Sequence, residues 1–134
     1  MRERSVSTDT TTILICTTCR PAGEPPGATA LGGTLLQLAG EVLGGAAPDV
    51  RIQSVRCLAN CNRGLSAAIR REGAWTYVFG HLQASVEGAT ALIEGARLLS
   101  ISADGLMPWR GRPEALKRGL IARVPPTNWS GEAP

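Results

Sequence analysis

Two apolar, β-branched runs bracket a helical stripe near the start of this chain, and that arrangement leaves little freedom of fold. Thr11-Thr12-Ile13-Leu14-Ile15-Cys16 has the character of a buried strand. Leu31, Leu35, Leu38 and Val42 then recur at helical spacing, with Ala39 and Leu43 beside them, which predicts a helix over residues 28–43. Gly32, Gly33 and Gly40 weaken that helix. Gly44-Gly45 stops it, and Pro48 follows as expected after a C-cap. Asp49 to Cys57 makes a second strand, with Val50, Ile52 and Val55 as its apolar members. Strand, helix and strand in this order form a βαβ unit, whose crossover is right-handed and whose strands are parallel.

Each of those strands runs into a pair of cysteines. Cys16 and Cys19 follow the first, Cys57 and Cys61 follow the second, and the sequence holds four cysteines in all. Parallel strands of one sheet end at the same edge, where open α/β folds place their ligands. Topology and spacing together therefore bring the four sulfurs to one place. C-x2-C and C-x3-C are metal-ligand spacings, because a short loop lets both thiolates turn to one point. An all-thiolate shell suits zinc or an iron–sulfur cluster, and spacing does not divide the two. A thioredoxin-type redox pair needs its C-x-x-C at a helix N-terminus. Here the proline-rich loop from Arg20 to Gly27 separates Cys19 from the helix. Around the second pair, Ala59, Gly64 and Ser66 are small enough for backbone N–H groups to approach sulfur. Arg20, Arg56 and Arg63 flank the ligands, where they either offset the negative charge of the thiolates or are simply solvated.

Downstream, Leu65 to Arg71 and Ala74 to Phe79 form a hairpin around Glu72-Gly73, with Trp75, Tyr77 and Phe79 on one face. Ser85 caps a second helix from Val86 to Leu99, whose apolar face is Val86, Ala89, Leu92, Ile93 and Ala96. The order β-α-β-β-β-α is the minimal thioredoxin-like α/β order. A short, irregular, basic C-terminal extension follows. Within it, Pro113 opens a short helix over Glu114 to Arg118, Gly119 stops it, and Leu120 to Val124 has extended character. The expected organisation is a disordered N-terminus over residues 1–10, one domain over residues 11–126 and a flexible tail over residues 127–134.

Composition narrows the function. At 134 residues the chain is long enough for one apolar core without disulfides. Three Trp, one Tyr and one Phe mean that Leu, Ile, Val and Ala fill that core. A net charge of +3 spread along the chain gives no footprint for nucleic acid. Met1 to Thr12 is polar and Ile13 to Cys16 is too short to span a membrane, so the expected compartment is the reducing cytoplasm. That favours metal over a disulfide. His81, the single histidine, has no partner in the pattern and reads as a structural or surface residue rather than a ligand. No paired carboxylates, G-x-G-x-x-G or Walker A pattern supports an enzyme. Arg110, Arg112, Lys117, Arg118 and Arg123, with Trp109 beside them, suit docking of an acidic partner or an anionic ligand, and equally a solvated basic face over a buried Trp.

The run Cys57-Leu58-Ala59-Asn60-Cys61-Asn62-Arg63-Gly64 resembles the C-L-G-x-C-x-x-G-P loop of thioredoxin-like 2Fe–2S ferredoxins and of the matching small subunit of bacterial NADH dehydrogenase. Ala59 stands where that loop has glycine and Leu65 where it has proline; the first cysteine pair is spaced more tightly than in those relatives. The resemblance implies a 2Fe–2S cluster on Cys16, Cys19, Cys57 and Cys61, one-electron transfer and a redox partner protein. Over most of its length the chain is also similar to an uncharacterised bacterial family of predicted metal-binding proteins. That likeness includes the ending Met107-Pro108-Trp109-Arg110, Pro113-Glu114 and Ala122-Arg123-Val124-Pro125-Pro126. Members of that family beside cobalamin-synthesis genes imply an alternative role in metal delivery or assembly. A zinc-binding structural or adaptor module is the other alternative.

Overall fold

The computed structural model describes residues 10–18, 31–45, 49–59, 64–127 and 129–130. The expected disordered terminus falls outside these residues apart from Thr10, as do the Arg20–Gly27 loop, Cys19, Cys61, Arg63 and the end of the tail. The described elements run β1 (Thr11–Cys16), α1 (Gly32–Leu43), β2 (Val50–Val55), β3 (Leu65–Arg71), β4 (Thr76–Leu82), α2 (Val86–Ser100), α3 (Glu114–Arg118) and β5 (Leu120–Val124).

The strands form one sheet in the order β2-β1-β3-β4-β5. β1 and β2 are parallel, with Thr11 opposite Val50 and Cys16 opposite Val55. The remaining neighbours are antiparallel. This is the expected mixed α/β, thioredoxin-like architecture. β1 lies between two partners and is buried at every position, which suits its continuous β-branched and apolar run. β2 is an edge strand, and only Val50 of its apolar members is fully buried.

Alternation along the strands sends Ile13, Ile15, Ala67, Ile69, Tyr77 and Phe79 to one face. There they share a core with Leu35 and Ala39 of α1 and with Leu92, Ala96 and Leu99 of α2. A hydrogen bond of 2.6 Å between the Thr11 and Ser100 hydroxyls joins the same face of β1 to the end of α2. Val86, expected on the apolar face of α2, is the first residue of that helix and is 55% exposed. Ser85 caps that helix by accepting the Gly88 N–H at 3.0 Å.

The hairpin turns where expected: Gly73 takes φ +82° and the Ala74 N–H bonds the Arg71 carbonyl at 2.9 Å. The fourth strand, however, begins later than Ala74 and ends later than Phe79. The Trp75 N–H turns to the Gly105 carbonyl at 2.9 Å instead of joining the ladder. At the other end a register shift between Leu65 and Ala67 lets β4 continue through His81 to Leu82. His81 is therefore in the strand rather than after it, exposed and at φ +56° beside the bulge.

The basic extension is irregular over residues 105–112 and then rejoins the fold. Leu116 of α3 is fully buried in the main core. β5 pairs with β4, Tyr77 opposite Arg123 and Thr76 opposite Val124, and so covers an edge that the hairpin would leave open. The Tyr77 hydroxyl accepts the Met107 N–H at 2.8 Å and ties the irregular part down.

Candidate metal centre

The parallel register carries Cys16 and Cys57 to the same end of the sheet. Cys16 is the last residue of β1, paired with Val55, and Cys57 follows Val55 by one intervening residue. Beyond the ladder, the two segments are bonded to each other. The Thr17 N–H and hydroxyl both donate to the Val55 carbonyl, at 2.9 and 3.4 Å. The Thr18 hydroxyl donates to the Arg56 carbonyl at 2.6 Å. The Cys16 thiol reaches the same carbonyl at 3.6 Å and lies 3.7 Å from the Thr18 hydroxyl oxygen. The start of the C-x2-C segment is thus fastened to the start of the C-x3-C segment.

The two described cysteines sit in different surroundings. Cys16 is 1% exposed and belongs to the apolar core, while Cys57 is exposed. Cys57 Sγ accepts the Ala59 N–H at 3.1 Å. The loop turns sharply beyond that bond: Ala59 takes φ +57°, and Gly64, at the end of the same loop, takes φ +73°. Ser66, opposite Cys16 on continuing the β1–β3 register, is buried and donates its hydroxyl to the Gly64 carbonyl at 3.2 Å.

One close approach was not legible in sequence. Gly32 opens α1, later than the expected start near Ala28, and Leu31 is its non-helical N-cap. A Cβ on Gly32 would overlap the Cys16 carbonyl oxygen and meet the Thr17 carbonyl carbon at 3.0 Å. The glycine that weakens the helix in isolation is what lets its first turn rest on the backbone at Cys16. The positive end of the helix dipole therefore lies at the thiol edge, where it favours negative charge.

The donor set fits a thiophilic metal. Loss of the Cys16 proton leaves the Arg56 carbonyl satisfied, because Thr18 also donates to it. The Ala59 N–H already points at sulfur, the acceptor a thiolate strengthens. Among the described residues no three of His, Cys, Asp and Glu converge, and the second member of each cysteine pair lies outside those residues.

The basic extension divides into two kinds of cation. Arg112 is 8% exposed, donates to the Met107 and Pro108 carbonyls, and lies over the Tyr77 and Trp109 rings at 5.5 and 5.3 Å. Burial lowers its pKa from the ordinary arginine value. It is a packing residue and does not belong to an exposed docking face. Arg118 is held by Glu114 at 2.9 Å and Arg123 lies over Trp75 at 4.5 Å. Lys117 places its ammonium over the ring of Trp109 at 4.9 Å, and exposed Arg110 follows that tryptophan, which is itself 61% exposed.

Residues 13–126 match the model of a family described as "Protein of unknown function (DUF1636)". The chain belongs to that family. No curated protein matches it. Among solved structures it is similar to a thioredoxin-like [2Fe-2S] ferredoxin from Aquifex aeolicus, with 18% identity and a TM-score of 0.57. The alignment covers 90% of this chain and 97% of that one. Likeness of this kind shows a shared thioredoxin-like fold. No described helix is long and apolar enough to cross a membrane.

Proposed function

We propose that this protein is a small metal-binding electron carrier, with Cys16, Cys19, Cys57 and Cys61 holding one 2Fe–2S cluster. The observation that carries the reading is the fastening of the loop after β1 to the loop after β2, by Thr17 and Thr18, beside Cys16 and Cys57. The fold shared with a 2Fe–2S ferredoxin supports it. When bound, such a cluster supplies one-electron redox chemistry. The chain's own residues tune and protect that site. The Ala59 N–H stabilises negative charge on Cys57 sulfur, the first turn of α1 does the same at the Cys16 end, and burial of Cys16 excludes water from one side. The exposed Cys57 gives a short path to a partner's redox group. The protein acts in the cytoplasm, without catalysis of its own, and exchanges electrons with a partner protein.

Anaerobic purification, visible absorption, and iron, sulfide and zinc analysis test the reading. Iron and sulfide in equal amounts, with a paramagnetic signal on one-electron reduction, are expected. A colourless protein holding one zinc would make this a structural or adaptor module. Metal that passes readily to an acceptor, which the exposure of Cys57 favours, would make it a delivery factor.

A further inference from the structure

The sheet face opposite α1 and α2 carries a basic row at the end far from the thiols. Register places Arg51 of β2, Thr12 of β1 and Arg70 of β3 side by side. Continued across β4 the row reaches Thr76, which pairs with Val124 of β5. Arg51 and Arg70 are both exposed, and among the described residues neither guanidinium has a hydrogen-bond or ion-pair partner. All four side chains line one concavity of about 450 Å³, walled on the far side by Pro125 and Pro126 after β5. Arg71 borders it in sequence but turns its side chain to the other face, where its guanidinium donates to the Ser102 carbonyl at 3.0 Å. Glu72 is the single carboxylate among the described lining residues.

We propose that this concavity binds a small phosphomonoester. Arg51 and Arg70 flank Thr12 at one inter-strand spacing each, about 4.8 Å, a separation that two arginine side chains are long enough to close over a shared anion. Arginine matches oxyanions through paired N–H donors. A phosphate monoester offers three terminal oxygens, one for each guanidinium and one for the hydroxyl, and a charge of about −1.5 to −2 at neutral pH; a carboxylate offers two oxygens and a single charge. The concavity extends beyond the basic row to the prolines, which leaves space for the organic part of the ligand. The row lies four residues from the Val55–Cys16 pair, about 13 Å along the strands, so the site is separate from the thiol edge.

Calorimetric titration of the full chain with glycerol 3-phosphate and with inorganic phosphate tests this. Saturable binding of glycerol 3-phosphate is expected, weakened at least tenfold by Arg51→Gln and by Arg70→Gln and weakened by added salt. Both positions are exposed, so the variants should fold, which circular dichroism checks, and they should retain the metal content of the parent. Absence of saturable binding of either probe overturns the proposal. So does binding that survives both substitutions.

Discussion

Thr18 donates its hydroxyl hydrogen to the carbonyl oxygen of Arg56 at 2.6 Å, joining residues that are far apart in sequence and adjacent to different cysteine pairs. Thr18→Val removes this bond and leaves the parallel ladder intact. Because the bond is exposed and water can replace it, the expected loss is about 0.5–1.5 kcal/mol in urea unfolding. Metal should bind more weakly in the variant, because the two loops are no longer held together. Unchanged affinity in a chelator competition would show that the ladder alone sets the separation of the cysteine pairs.

Single serine replacements at Cys16, Cys19, Cys57 and Cys61 should each lower bound metal sharply and to a similar degree, since losing any ligand would open the proposed four-thiolate shell. Stability should fall with metal content, because metal binding contributes to folding free energy. Elemental analysis and thermal melts check both. Full metal retention in Cys16→Ser and Cys19→Ser, with loss in the other two, would contradict a single centre.

Gly32→Ala reverses the usual sign of a glycine-to-alanine change in a helix. Ordinarily alanine gains up to about 1 kcal/mol there. Here the added carbon overlaps the Cys16 carbonyl oxygen, so α1 must move from the end of β1. Overpacking of this kind costs about 1–3 kcal/mol. A lowered melting temperature is expected, together with lower metal content. Gly33→Ala, with nothing within 4 Å of the new carbon, is the matched control and should be neutral or stabilising.

Ala59 occupies the left-handed region at φ +57°, a strain of about 1–2 kcal/mol for an L-residue. Glycine relieves it but frees the unfolded chain by about 0.4–1 kcal/mol. Ala59→Gly should therefore stabilise modestly and preserve the N–H bond to Cys57 sulfur. Ala59→Val should destabilise and disturb the visible spectrum of the loaded protein, because β-branching is least tolerated at this backbone angle.

Arg112 and Arg110 should separate cleanly. Arg112→Met breaks charge-assisted bonds to two carbonyls and two ring contacts, and should cost about 1.5–3 kcal/mol in denaturant unfolding. Arg110→Glu, on the surface, should leave stability within about 0.5 kcal/mol. If the extension docks a redox partner, Arg110→Glu should instead slow electron transfer, by less as salt rises. A rate independent of both salt and charge would leave Trp109 and Arg110 as plain surface.

Local pattern determined the elements of this protein and the sheet edge that Cys16 and Cys57 share. β-Branched runs, a leucine stripe, the Ser85 cap and the Pro113 start are properties of neighbouring residues, and each appears where its own chemistry puts it. Parallel strands then carried Cys16 and Cys57 to one end without further information, because a βαβ crossover admits one hand. Tertiary structure decided what depends on contacts between distant segments. Gly32 looked like a defect in a helix until Cys16 lay against it. Arg112 looked like a surface cation until the rings of Tyr77 and Trp109 and the Met107 carbonyl enclosed it. Arg51, Thr12 and Arg70 had no reason to be read together, because only strand register makes them neighbours. A residue's chemical type is fixed by the sequence; the dielectric, the partners and the space around it are fixed by the parts of the chain that fold against it.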